Sequence, residues 1–191
     1  MRLTDLLARL DTDGLLLLSD TKLPSAVSLA AGEPIRGSWW SHPRGKKIYA
    51  LLQDFGAHED VLTVKLVDDK VTFVHRRLWP ALLSIARARA PWQVGKLTKV
   101  ARDLLARVDE LGEMESHGEA VKLLELRLLV HTAQVHTPSG AHTLVLTSWT
   151  RWARLHGPFG RALPIARAKQ TLRTAMQQLN EAHAAKGVLP F

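Results

Sequence analysis

Residues 61–76 read VLTVKLVDDKVTFVHR, which predicts two β-strands joined by the two-residue turn Asp68-Asp69. Such a turn pairs Val67 with Lys70, and counting back from that pair sets the rest of the register. The pairs expected on the apolar face are Leu66 with Val71, Val64 with Phe73 and Leu62 with His75. The cations expected on the opposite face are Lys65, Lys70 and Arg76. We therefore predict a β-hairpin with one buried face and one basic face.

Helices are predicted on both sides of this hairpin. Residues 46–55 place their apolar side chains on one helical face, after a turn-rich and aromatic loop over residues 37–45. Beyond the hairpin, Pro80 suits the first turn of another helix. Residues 37–92 are therefore predicted to form a helix–hairpin–helix unit, preceded by an N-terminal helical segment over residues 1–36.

A second unit is predicted over residues 93–156. The apolar residues that follow Lys96 keep helical spacing, and Ser116 with Glu119 has the pattern of a capping box that opens a second, leucine-rich helix. Two β-compatible runs then flank Pro138-Ser139-Gly140, which indicates a second hairpin.

Helix, second helix and hairpin is the order of a winged helix, and residues 96–149 have this order. Residues 157–191 add a Pro/Gly-rich connector and a long C-terminal helix. The predicted fold class is therefore α+β, with two winged-helix-like units, each containing helices and a β-hairpin, and a long C-terminal helix.

The run over residues 122–149, KLLELRLLVHTAQVHTPSGAHTLVLTSW, resembles the wing region of a bacterial winged-helix family. That family includes DNA glycosylases that act on alkylated and crosslinked bases, so the resemblance implies DNA as a partner and DNA repair as an activity. The catalytic element of those enzymes is a Gln followed at the second position by Gln or Asp. Here Gln134 is followed by Val135 and His136, and no such tripeptide occurs in the chain, so the resemblance does not extend to the catalytic residues.

Composition narrows the class of protein. The 191 residues are 46% hydrophobic and 23% charged, which is typical of globular domains, and no apolar run approaches the roughly 20 residues of a membrane-spanning helix. Without cysteine there is no disulfide, no thiolate nucleophile and no zinc site built on sulfur. We expect a soluble cytoplasmic protein without a cofactor and without membrane association.

Net charge points to a polyanionic partner. The chain has 26 Lys and Arg residues against 18 Asp and Glu residues, a formal charge of +8. Two stretches are rich in basic residues and poor in acids: residues 76–107 contain a single acid, Asp103, and residues 151–173 contain none. Solvated helix faces are the alternative explanation for both stretches.

Phosphate contacts are therefore predicted at exposed cations, with few side chains suited to reading base edges. The predicted nucleic-acid-binding residues are Arg44, Lys46, Lys47, Lys65, Lys70, Arg76, Arg77, Arg87, Arg89, Lys96, Lys99, Arg102, Lys122, Arg127, Arg151 and Arg154.

Aromatic and histidine residues supply further candidates. Trp39 and Trp40 have the pattern of a stacking or wedge element beside these cations, although they could equally be buried aromatics that pin the helix. His42 is a candidate catalytic residue. In the second hairpin His136 is expected opposite His142, but two histidines without a third ligand do not make a metal site, and no metal is predicted.

Three functions are consistent with this sequence. The first is a DNA-binding protein of low sequence specificity that contacts phosphates on duplex DNA through basic surfaces. The alternative is a glycosylase-related DNA-repair enzyme that acts on damaged DNA, and the third is a protein-interaction scaffold.

Overall fold

The computed structural model describes residues 1–136, 142–159 and 161–191. These residues form nine α-helices and two three-stranded antiparallel sheets, which confirms the predicted α+β class and the long C-terminal helix. They divide into two compact units, and each is described here by itself.

The first unit consists of Met1–Trp79 together with Gln170–Pro190. Its helices and strands before residue 79 are α1 (Leu3–Asp13), β1 (Leu15–Leu17), α2 (Ala26–Ala31), α3 (Gly45–Gly56), β2 (Val61–Val67) and β3 (Lys70–His75). Short 3₁₀ turns lie at Trp39–Ser41 and Arg76–Leu78.

The second unit consists of Pro80–Lys169 and Phe191. The remaining elements of the chain are α4 (Trp79–Ala86), α5 (Pro91–Val94), α6 (Lys99–Leu111), β4 (Glu113–Ser116), α7 (Glu119–Leu126), β5 (His131–His136), β6 (His142–Thr147), α8 (Trp149–His156) and α9 (Ile165–His183). The division between the units falls inside α4 and inside α9.

The first unit has the complete element order of a winged helix. Helix, strand, helix, helix and two strands follow one another, and the sheet order is β1-β3-β2. Gly14 makes the first connection short: its φ of 77° ends α1, and its N–H donates to the Leu10 carbonyl at 2.7 Å, so that β1 starts at the next residue.

One face of this sheet packs against the three helices. Leu16 of β1 and Phe73 of β3 are buried in the same core as Leu10 of α1 and Phe55 of α3. Residues 1–36 are therefore not the separate segment that was predicted, because α1 and α2 share this core with α3 and the hairpin.

The hairpin forms at the predicted residues but in a shifted register. Asp68 and Asp69 both have positive φ, 51° and 59°, as a type I′ turn requires. The pair Val67–Lys70 forms as predicted, but an irregularity between Lys65 and Val67 shifts every earlier pair by one residue. The observed pairs include Leu62 with Val74 and Val64 with Thr72.

The predicted polar face of the hairpin is also absent. Thr72 and Val74 are buried on one side of β3, and Phe73 is buried on the other. β3 is the central strand with a neighbour at each edge, and its side chains are buried on both faces of the sheet. The C-terminal segment lies at the hairpin tip, where Asp68 exchanges hydrogen bonds with the Val188 backbone, its N–H donating and its side chain accepting, both at 3.0 Å.

The second unit has the same sheet order, with one helix instead of two between its first and second strands. Its sheet runs β4-β6-β5, and α6 and α7 pack against it around Val108, Leu124 and Leu146. The predicted helix after Lys96 is confirmed as α6, and β4 was missed because its four residues are mostly polar.

Two further differences concern the second unit. The capping box is wrong, because Ser116 is the last residue of β4 and Gly118 precedes α7. The predicted order of helix, second helix and hairpin over residues 96–149 is confirmed by α6, α7 and the β5–β6 hairpin, with β4 added between the helices. Only one helix separates β4 from β5, whereas two separate β1 from β2 in the first unit. The predicted register places His136 opposite His142, as observed, whereas the turn Pro138-Ser139-Gly140 lies outside the described residues.

His131 makes the stability of the second unit depend on pH. Its ring contacts Trp149 and Trp152, with centroids 5.7 and 5.9 Å away, and burial, helped by the nearby His156, lowers its pKa to about 4. Below about pH 6.5, the ordinary histidine pKa, His131 therefore binds a proton in the unfolded chain but remains neutral in the folded chain. Stability should fall as the pH falls through this window.

Because of His131, we expect the free energy of unfolding to fall by about 2 kcal/mol as the pH is lowered from about 7.5 to about 5. His131→Phe keeps an aromatic ring against the two tryptophans and should lose that part of the pH dependence. Urea denaturation of both proteins at the two pH values measures it. Equal losses in the wild type and the variant would show that His131 is not responsible.

Candidate nucleic-acid interface

The longest stretch of the first unit without acidic residues is residues 34–53, which we call the basic segment. It runs from the loop after α2 through the first turns of α3. Its four cations are Arg36, Arg44, Lys46 and Lys47. Arg36, Lys46 and Lys47 are exposed, and none of them forms an ion pair with an acid in the described ranges of the chain.

Arg44 fixes the loop to α2. Its Nη1 donates to the Ala31 carbonyl at 3.0 Å, which satisfies an unpaired carbonyl at the C-terminal end of that helix. Gly45 follows at a tight position, where a Cβ would lie 3.0 Å from the Trp40 carbonyl oxygen. The start of α3 is thus held close to the 3₁₀ turn that carries the tryptophans.

The tryptophans of this turn form a stack that is partly open to solvent. The ring centroids of Trp39 and Trp40 are 4.1 Å apart with an angle of 23° between the planes, and Tyr49 lies 5.2 Å from Trp40. Trp39 packs against the helical core, whereas Trp40 is 62% exposed. Trp39 therefore pins the turn, and Trp40 presents an aromatic ring at the surface.

The N-terminus of α3 has positive charge that no acidic side chain of its first turn compensates. Its first turn has no acidic residue, and no side chain caps it. Lys46 and Lys47 in this turn add positive charge to the positive end of the helix dipole, an arrangement that disfavours the free helix by a few tenths of a kcal/mol per lysine. An anion placed there would interact with both lysines and with free backbone N–H groups.

His42 has the contacts of a residue that shapes the loop. Its Nδ1 accepts the backbone N–H of Arg44 at 3.1 Å, and its Nε2 lies 3.2 Å from the Glu33 carboxylate. Both ring nitrogens therefore have partners in and next to the loop. The geometry gives the candidate catalytic residue a structural role.

The hairpin cations do not form the basic face that was predicted. Lys70 lies 2.6 Å from Asp20, and Arg76 lies 3.6 Å from Asp60. Burial of Asp20 raises its pKa, but hydrogen bonds from Lys70 and from the Leu23 and Lys22 N–H groups together lower it below its usual value. The same hydrogen bond to Asp20 raises the pKa of Lys70. The remaining predicted cation at this end of the unit, Arg77, pairs with Asp11 at 3.2 Å.

In the second unit, most of the cations predicted to bind nucleic acid likewise have a partner within the protein. The ion pairs are Arg89–Asp109, Lys99–Asp103, Lys122–Glu119 and Arg151–Glu113. The arginines that donate to backbone carbonyls are Arg87 to Trp149, Arg102 to Leu97 and Arg127 to Trp92. Of the predicted cations in this unit, Lys96 and Arg154 are exposed and have no such partner among the described residues.

Two residues of the basic segment escaped the sequence analysis. Arg36 and Tyr49 were not predicted as site residues, and the signal that could have revealed them is the absence of acids over residues 34–53. The described residues contain no group of three His, Cys, Asp or Glu side chains that could hold a metal ion.

The exposed Trp40 gives the basic segment an optical test. We expect iodide to quench tryptophan fluorescence more strongly than caesium does, because neighbouring cations attract the anion and repel the cation. Trp40→Phe should remove most of that difference, since Trp79, Trp149 and Trp152 are buried. A difference that persists unchanged in Trp40→Phe would locate the quenchable tryptophan elsewhere.

Comparison with protein families, with curated proteins and with solved structures finds no match to this chain. In the described parts of the chain, the helices are too short or too polar to cross a membrane.

Proposed function

We propose that this protein binds duplex DNA through its first unit and discriminates little between sequences. The observation that carries the proposal is the basic segment: four cations and no acid, placed at the start of the third helix of a winged-helix order. Elsewhere in this unit Lys70, Arg76 and Arg77 lie beside aspartates, whereas the segment contains no acid, which makes it the most favourable place for a phosphate backbone.

The position of α3 supports this assignment. In helix-turn-helix proteins the equivalent helix enters the major groove and its N-terminal residues approach the DNA first. Here those residues are Lys46 and Lys47, at a helix end whose dipole and free N–H groups favour phosphate. Binding would place an anion against two lysines that the free protein leaves without an acidic partner.

Low sequence specificity follows from the side chains that α3 exposes. Lysine contacts phosphate as a point charge, and specific readout depends on bidentate Arg, Asn or Gln contacts to base edges. Gln53 is exposed on α3 and could make one such contact, but the neighbouring Asp54 would repel the backbone. The tip of the hairpin adds no phosphate contact, because it is formed by Asp68 and Asp69.

Trp40 suits the same surface. An exposed ring supported by a second ring can stack on a base or wedge into a base step, and neither contact depends strongly on sequence. Its support by Trp39 and Tyr49 holds the ring in place before DNA arrives.

Duplexes of unrelated sequence should therefore bind with similar affinity. Fluorescence anisotropy with one labelled duplex and several unlabelled competitors measures this. A preference of about 10³-fold or more for one competitor would reveal a specific readout element and contradict the assignment, since such ratios belong to sequence-specific regulators.

Removing the free cations of the basic segment should weaken binding and reduce its salt dependence. Each lost phosphate contact lowers the slope of log K against log salt by about 0.9 on duplex DNA. We expect the triple variant Arg36→Ala, Lys46→Ala, Lys47→Ala to reduce the slope by about two to three units.

The matched control removes three exposed lysines outside the segment, Lys22, Lys96 and Lys186, and so changes the net charge equally. Its affinity and slope should stay much closer to those of the wild type. Equal effects of the two triple variants would mean that net charge alone drives binding and would refute the proposed interface.

A further inference from the structure

The second unit contains an open groove of about 700 Å³, well within the size range of small-molecule sites. Residues of α4, of α8 and of the segment before α9 line it. The larger apolar side chains of the lining are Leu83, Phe159, Leu163 and Ile165.

Contacts within the unit hold the walls of the groove in place. The Ser84 hydroxyl donates to the Pro80 carbonyl at 2.9 Å and accepts the Leu163 N–H at 3.0 Å, which ties the segment before α9 to α4. Phe159 lies nearly parallel to Trp152 of α8, with an angle of 9° and ring centroids 5.8 Å apart. The groove is therefore shaped before any ligand binds.

The charge of the groove is of one sign. Arg87, Arg154 and Arg161 line it, and none of the described lining residues is acidic. Arg154 and Arg161 are exposed and make no ion pair with a described acid. An apolar body with a negative group would satisfy both features of the lining.

A smaller pocket of about 230 Å³ shares Arg87 and Thr150 with the groove and is also lined by Arg89. Arg89 Nη2 donates to both carboxylate oxygens of Asp109, at 2.6 and 2.8 Å, but its Nη1 is buried without a hydrogen-bond partner among the described residues. An unsatisfied buried guanidinium nitrogen is unfavourable. Arg89 also has a φ of 51°, so its backbone is held in a conformation that L-residues rarely adopt.

We infer that the second unit binds a small amphipathic anion, with a carboxylate or sulfonate near the arginines and an apolar body in the groove. The ligand class follows from the two parts of the lining. Arginines favour an anionic oxygen acid through charge-assisted hydrogen bonds, and the apolar walls favour an aromatic or acyl body over a free inorganic anion. This site is independent of DNA binding by the first unit.

Two fluorescent probes of the same shape test the site on the full-length protein without DNA. Anilinonaphthalene sulfonate carries a negative charge on an aromatic body, and N-phenyl-naphthylamine has a similar body without the charge. We expect one molecule of the sulfonate to bind per chain, more tightly than the neutral probe. Equal affinities for the two probes, or no saturable binding of the sulfonate, would overturn the inference.

The double variant Arg154→Gln, Arg161→Gln should weaken sulfonate binding about tenfold, a loss typical of one or two charge-assisted contacts. Its affinity for the neutral probe should not change. The matched control, Lys96→Gln with Arg107→Gln, removes the same charge from exposed residues outside the groove and should retain tight sulfonate binding. Equal weakening by both double variants would refute a site at the groove.

A substitution in the apolar wall gives a second, independent readout. Ile165 lines the groove, is 39% exposed and starts α9, where an aspartate is compatible with the helix dipole. Ile165→Asp should weaken both probes, whereas Leu155→Asp, at a 63% exposed residue of α8 outside the lining, should weaken neither. If Ile165→Asp leaves both affinities unchanged, the body of the ligand does not lie in this groove.

Discussion

The edge-to-face contact between Phe55 and Phe73 is the interaction on which the first unit depends. Their centroids are 4.8 Å apart, and the contact joins the buried side of α3 to the central strand of the sheet. Because a helix of this size has one buried stripe, the opposite side of α3 must then face solvent. The exposure of Lys46 and Lys47 is thus a consequence of where Phe55 lies, and the proposed DNA surface follows from core packing.

The two units have the same sheet order but present different surfaces. In the first, three helices cover one face of the sheet, and the third carries cations at its free end. In the second, a single helix separates the first strand from the hairpin, and the groove is lined by α4, α8 and the segment before α9, with no residue of that helix. An exposed basic helix end suits a polymer, whereas an apolar groove with arginines suits a small molecule.

A stretch of sequence that contains few acids does not necessarily present unpaired cations in the folded chain. Residues 76–107 contain one acid, yet Arg76, Arg77 and Arg89 each lie beside an aspartate that is distant in sequence or outside that stretch. The basic segment behaves differently, because none of its four cations forms an ion pair with a described acid. Arg44 is used within the loop, and the adjacent acid Glu33 pairs with His42.

The sequence by itself determined the local elements: the turn at Asp68-Asp69, the helix that Phe55 anchors, helix α6 and the α+β class all follow from periodicity and turn chemistry. Only the tertiary structure decided which residues meet. The bulge near Leu66 changed the pairing of the hairpin, because burial of both faces of β3 outweighed the simple count from the turn. Ion pairs such as Lys70–Asp20, 50 residues apart, depend on chain folding and leave no periodic signal. The basic segment and the arginine-lined groove emerged for the same reason, since a surface is defined by neighbours in space.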